Sequence, residues 1–168
     1  MKRSSKTLIA AAVTVLGITA VALPTAQASD RSAKPSVAAA QYSYISSDLN
    51  PRQVLDNGKG FALSWSLHGG LNQQWTLANR TAETVSVESR VGGCATATTP
   101  HQPVVIAPCD PFNLNQRWHK YESGDGAVTF ISALHPGQCL TKAQDFTPTI
   151  LTDCNNSTTQ RWHLIPVS

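Results

Sequence analysis

The chain has 168 residues with 13 Lys plus Arg against 10 Asp plus Glu; without Lys2, Arg3 and Lys6 the balance is ten against ten. An even balance with no Lys/Arg cluster argues against nucleic acid or an anionic membrane as the main partner. The roughly 128 residues after position 40 suffice for one modest domain with a single core, not for two.

Lys2, Arg3 and Lys6 precede an uncharged run from Leu8 to Leu23, followed by Pro24 and the small-residue tripeptide Ala26-Gln27-Ala28. This is the pattern of a secretory signal peptide over residues 1–28, cut after Ala28. A membrane anchor is the alternative, but 16 residues ending at a proline fall short of the ~20 a spanning helix needs. Residues 29–40 are small and polar, without alternation. They read as a flexible leader, with a short docking segment as the alternative. Export to an oxidising compartment makes two disulfides the first reading of the four cysteines.

From position 41 the chain reads as three similar units, about 41–79, 80–122 and 123–168. The first opens with Tyr42-Ser43-Tyr44-Ile45, turns at Asn50-Pro51, and continues through Val54-Leu55 and Phe61 to Trp65 into Asn72-Gln73-Gln74-Trp75. The second runs from Val85-Ser86-Val87-Glu88 through Gly92-Gly93, Cys94-Ala95 and Val104 to Ala107 into Asn115-Gln116-Arg117-Trp118. The third runs from Val128-Thr129-Phe130-Ile131 through Pro136-Gly137, Cys139-Leu140 and Thr149 to Thr152 into Thr159-Gln160-Arg161-Trp162. Trp75, Trp118 and Trp162 lie 43 and 44 residues apart, the spacing of one structural unit used three times. Four short strand candidates per unit predict an all-β fold of about twelve strands. No unit can bury its apolar face alone, so the three are expected to close around a common axis with their tryptophans in a shared core. On a strand, a glutamine two residues before a tryptophan shares its face. Gln73, Gln116 and Gln160 are therefore expected beside the indoles, each needing nearby hydrogen-bond partners.

Cys94 and Cys109 are separated by the same 15 residues as Cys139 and Cys154. That symmetry favours bridges Cys94–Cys109 and Cys139–Cys154, each worth up to ~3 kcal/mol. A metal site is the alternative, but close Cys-x-x-Cys spacing is missing. Val54 and Leu67 hold the corresponding positions of the first unit, where apolar packing is expected to replace the bridge.

With these motifs, residues 41–168 resemble the ricin B-chain-like (Gln-x-Trp) lectin family. The resemblance implies a β-trefoil with one Gln-x-Trp near the end of each repeat. It also implies sugar sites built from an Asp just after the first cysteine position, an aromatic near the second, and polar groups of the Asn-Gln-x-Trp segment. The chemistry is sensible, since a flat ring packs on the C–H face of a sugar while carboxylate and amide select its hydroxyls. In the first repeat the resemblance assigns Asp56, Trp65, Asn72 and Gln73 to carbohydrate binding, with Leu63 departing from the Gln often found there. In the second, Thr96 and Ala107 stand where the acid and ring belong, although Asn115 and Gln116 remain. The third has Thr141, Thr152 and Thr159. Only the first repeat is thus a near-complete site.

Plainer readings stand beside these assignments. Asp56-Asn57-Gly58 is a good turn sequence by itself. Trp65 has a core alternative, but Trp75, Trp118 and Trp162 already fill the symmetric core positions and Trp65 has no aromatic counterpart, which favours a surface platform. The motif glutamines recur in repeats without a site, so their shared role is structural, with Gln73 also supporting Asp56. His68 falls in a turn near enough to touch ligand. A nucleophile elbow, helical His pair, phosphate-cradling loop and distinctive carboxylate pair are not apparent. The expected function is that of a secreted, non-enzymatic carbohydrate-binding protein whose partner is a glycan or polysaccharide, with no cofactor, no metal and no membrane insertion. A protein-interaction or inhibitory trefoil subunit that binds a protein partner and no sugar is the first alternative. A small hydrolase using loop carboxylates is the second.

Overall fold

The computed structural model describes residues 41–168. The expected signal peptide and leader lie outside the described residues. No helix among them is long and apolar enough to cross a membrane.

Twelve strands follow one another in three sets of four: β1 (Ser43–Ser47), β2 (Gln53–Gly58), β3 (Phe61–Ser66), β4 (Trp75–Asn79); β5 (Thr84–Ser89), β6 (Cys94–Thr96), β7 (Val105–Ala107), β8 (Trp118–Glu122); β9 (Val128–Ser132), β10 (Gln138–Thr141), β11 (Ile150–Asp153), β12 (Trp162–Pro166). The first and fourth strands of each set form a closed antiparallel ring, β1–β4–β5–β8–β9–β12 and back to β1. Closure leaves the ring no free edge. The middle strands form hairpins β2–β3, β6–β7 and β10–β11 that cap one end. At their meeting point three backbone bonds run in a cycle: Ala62 N–H to Val104 O (3.0 Å), Val104 N–H to Thr149 O (2.8 Å) and Thr149 N–H to Ala62 O (2.8 Å). This ring of bonds marks the pseudo-threefold axis of a β-trefoil.

Trp75, Trp118 and Trp162 are at most 1% exposed and sit in one core with Ile45, Leu55, Phe130, Leu140 and Leu151. Each indole N–H donates to a carbonyl one residue past the first cysteine position: Leu55 O at 2.8 Å, Ala95 O at 3.0 Å and Leu140 O at 3.1 Å. A buried Trp N–H needs such a partner, and these bonds fix each hairpin to the barrel.

The motif glutamines are buried too, though not from a strand. Each ends a short 3₁₀ turn, Leu71–Gln73, Leu114–Gln116 or Thr158–Gln160, and the strand begins at the tryptophan. The turn, not strand alternation, aims the amide inward. Gln116 Oε1 accepts from Asp110 N–H at 2.7 Å while its Nε2 donates to Pro108 O at 2.9 Å. Gln160 makes the matching pair with Asn155 N–H and Asp153 O, both at 2.8 Å.

Cys94–Cys109 and Cys139–Cys154 are bridged, with Cα separations of 5.0 and 5.1 Å. In the first repeat Val54 is fully buried, but Leu67 is 45% exposed, so apolar packing of the pair does not stand in for a bridge. The hairpin itself is longer than its counterparts. β2 and β3 are matched over six positions, from Gln53↔Ser66 to Gly58↔Phe61, against three in β6–β7 and four in β10–β11. Asp56-Asn57-Gly58 consequently lies within β2, and the turn falls at Lys59-Gly60, both left-handed with φ of 54° and 81°.

Candidate functional site

A cleft of about 450 Å³ opens on the outer face of the β2–β3 hairpin. Asp56 and Trp65 both line it, as do Asn72 and His68 from the turn that leads into β4. Trp65 is 38% exposed, unlike the three core tryptophans. Its counterparts at the ends of β7 and β11 are Ala107 and Thr152.

Asp56 is only 4% exposed, and its carboxylate is held from two sides. Asn72 Nδ2 donates to Oδ1 at 2.8 Å, and His68 Nε2 lies 3.3 Å from Oδ2. Gly70 N–H donates to His68 Nδ1 at 3.2 Å, so the imidazole proton belongs on Nε2 and points at Asp56. A carboxylate offers about four lone-pair positions, and two are used. Among the described residues the remaining two have no side-chain or loop partner. Gly70 makes this convergence possible: a Cβ there would come 2.6 Å from both Asn72 Oδ1 and His68 Cε1.

Gln73 does not line the cleft. Fully buried, it accepts from the N–H groups of His68 (2.9 Å) and Gly69 (3.2 Å) and donates to Ser66 O (2.9 Å). Its contribution is to hold the His68–Gly70 turn against β3, so that His68 and Asn72 reach Asp56. The other repeats use the same amide differently. Gln116 Nε2 also donates to Thr96 Oγ1 at 3.1 Å and Gln160 Nε2 to Thr141 Oγ1 at 3.2 Å, tying up the side chain that replaces the acid.

The far wall comes from the third repeat. Phe146, at the tip of the β10–β11 hairpin, meets Trp65 edge-on with ring centroids 4.9 Å apart and planes at 78°. Its N–H donates to Ser64 O at 2.8 Å, Ser64 N–H returns to Thr147 O at 2.9 Å, and Pro148 pairs with Leu63 as an isolated bridge. Sequence reasoning missed Phe146 and Pro148. The available signal was Phe146 itself, an aromatic set among Gln144, Asp145 and Thr147; it is half exposed and rests on Trp65.

The ricin-type β-trefoil lectin domain model matches residues 42–164. The chain belongs to this family. Among the solved structures that share its fold are the following three. A designed threefold-symmetric protein, ThreeFoil, is 20% identical with a TM-score of 0.68, covering 75% of this chain and 99% of its own. The Macrolepiota procera ricin B-like lectin, solved with lactose, is 21% identical with a TM-score of 0.62, covering 77% and 97%. The Rhizoctonia solani agglutinin is 18% identical with a TM-score of 0.61, covering 89% and 100%. No curated protein matches the chain. Carbohydrate binding is the typical activity of this family, and the domain is typically non-enzymatic.

Proposed function

We propose that this ricin-type trefoil is a secreted carbohydrate-binding protein with one working sugar site, in the first repeat. Trp65 is the stacking platform, Asp56 and Asn72 take the sugar hydroxyls, and Gln73 supports them from behind. The observation that carries this reading is the exposed Trp65 ring beside a buried carboxylate with unused lone pairs, within one cleft. A sugar stacked on the indole covers its C–H face, and its hydroxyls exchange water for the charged acceptor, where a hydrogen bond is worth ~1.5–3 kcal/mol. The second and third repeats supply scaffold only, since threonine replaces the acid and no ring follows it.

Export is supported by the residues 1–28 pattern and by the two disulfides, which persist in oxidising surroundings. One shallow site binds a simple sugar weakly, at a Kd of about 0.1–10 mM. Avidity then comes from a repetitive glycan or polysaccharide engaging several molecules. The test is an NMR titration of the mature domain, its Asp56→Ala and its Trp65→Ala variants with a panel of mono- and disaccharides. Saturable shifts that vanish in both variants support the assignment; binding that survives both removes it. A blank panel accompanied by capture of one defined protein selects the interaction-subunit alternative.

A further inference from the structure

The cleft is polar on one side and apolar on the other. Its polar side chains, apart from Lys59 at the hairpin tip, are Asp56, His68 and Asn72, which cluster where the turn before β4 meets β2. Phe61, Leu63 and Trp65 alternate along β3 and so share one face, and Leu63 stands directly across from Asp56. Gly58, on the same face, is bare: a Cβ there would approach Leu63 Cδ1 to 2.7 Å. Leu63 therefore lies over glycine backbone and extends the apolar floor.

The hairpin tips explain why the apolar side is confined to this repeat. Lys59, His101 and Phe146 are left-handed residues, at φ of 54°, 64° and 64°, one at each tip. Phe146 donates its N–H to Ser64 O on β3, and His101 donates its N–H to Leu151 O on β11, each at 2.8 Å. The tip beside Thr152 is thus a histidine, and the tip that reaches Trp65 is a phenylalanine. A non-glycine residue holds positive φ only where its surroundings enforce it. Around Phe146 the enforcement is thorough. Thr147 Oγ1 donates to Gln144 O at 2.9 Å, and buried Lys142 pairs with Asp145 at 2.5 Å.

A second sugar ring is poorly suited to this half of the cleft. Its hydroxyls would find no hydrogen-bonding side chain there, whereas a flat apolar substituent needs none and buries its whole face against this wall. Resting on the sugar-site reading above, we infer that the cleft selects glycosides carrying a flat apolar substituent. The sugar occupies Asp56, Asn72 and Trp65, and the substituent lies against Phe61, Leu63 and Phe146.

The experiment compares methyl and phenyl glycosides of the same sugars, both anomers of galactose, glucose, mannose and N-acetylglucosamine, by NMR titration. Phenyl glycosides are expected to bind about tenfold more tightly than their methyl partners. Phe146→Ala and Leu63→Gln are each expected to bring that ratio close to unity, because the phenyl group alone loses its apolar contact, whatever change either makes to methyl glycoside affinity. Well-dispersed amide spectra of both variants confirm folding. Equal binding of methyl and phenyl partners by the unaltered protein overturns the inference and leaves the sugar site standing. Silence with both series overturns the two together. Phenyl glycoside binding unaffected by Asp56→Ala also overturns it, because the apolar half would then act without the sugar.

Discussion

Asn72 Nδ2 donates to Asp56 Oδ1 at 2.8 Å across a separation of 16 residues, tying the turn before β4 to the strand that carries the acid. In the other repeats the glutamine of the motif reaches the threonine at the acid's position instead. The same backbone thus carries an open acceptor once and a closed hydroxyl twice. Asp56→Ala is expected to weaken sugar binding at least tenfold and to cost ~1–3 kcal/mol of stability, since Asn72 and His68 lose their shared acceptor. Titration and urea denaturation measure the two effects separately. Wild-type affinity in that variant would exclude the carboxylate as a ligand.

Gln73→Ala and Gln116→Ala separate support from scaffold. Both remove a buried amide that satisfies loop N–H and C=O groups, and each is expected to destabilise by ~2 kcal/mol. Only Gln73→Ala should also weaken sugar binding, because the loop it holds is the one that delivers His68 and Asn72 to Asp56. Denaturation midpoints and titrations on the two variants check this. Equal loss of binding in both would mean that the glutamine acts through global stability alone.

The fold was legible because its signals are periodic. Trp75, Trp118 and Trp162 recur in phase, and their N–H partners Leu55, Ala95 and Leu140 recur with them. Asp56 and Trp65 stood out because each departs from its counterparts in both other repeats, and Asn72, which Asn115 matches in the second, because its own repeat also carries that acid and ring. Phe146 was not, because its meaning depends on which hairpin tip docks on which strand. That relation is set by the threefold arrangement and leaves no local spacing. The Asp56-Asn57-Gly58 segment misleads for a different reason. Turn propensity is a local preference, and six matched pairs in β2–β3 carry the strand through it. Leu67 misleads likewise, since occupying a cysteine's position does not bury it.

The first repeat should accept a third disulfide. Val54 pairs with Trp65 as Cys94 pairs with Ala107 and Cys139 with Thr152, so positions 54 and 67 correspond to the two bridged pairs. Val54→Cys with Leu67→Cys is expected to form a bridge under oxidising refolding and to add up to ~3 kcal/mol. Mass spectrometry reports the bridge, and urea denaturation with and without reductant reports its contribution. Leu67 is half exposed, so its loss costs little packing, whereas the buried Val54 sets the limit on the gain.

Acid should weaken the ion pairs around Arg161, where the first and third repeats meet. Asp48, beyond the end of β1, accepts from His163 Nε2 and from Arg161 Nε, each at 2.9 Å. These bonds, His163's foremost, lower its pKa below the usual carboxylate range. Asp125 is lowered as well, chiefly by the Ser123 hydroxyl at 2.5 Å, then by Arg161 and the Ala127 N–H. Both carboxylates hold their protons less tightly folded than unfolded, so the unfolded chain binds more protons as pH falls. Their stabilisation is therefore complete above the ordinary carboxylate value of about 4 and is lost as pH drops through the lowered folded values. Asp48→Asn with Asp125→Asn is expected to be less stable than the unaltered protein at pH 7 and to show a flatter decline below about pH 4. Urea denaturation across that range tests the sign. Parallel curves for the two proteins would place acid sensitivity in other carboxylates. Because these pairs are partly open to solvent, the difference at neutral pH should shrink as salt is raised.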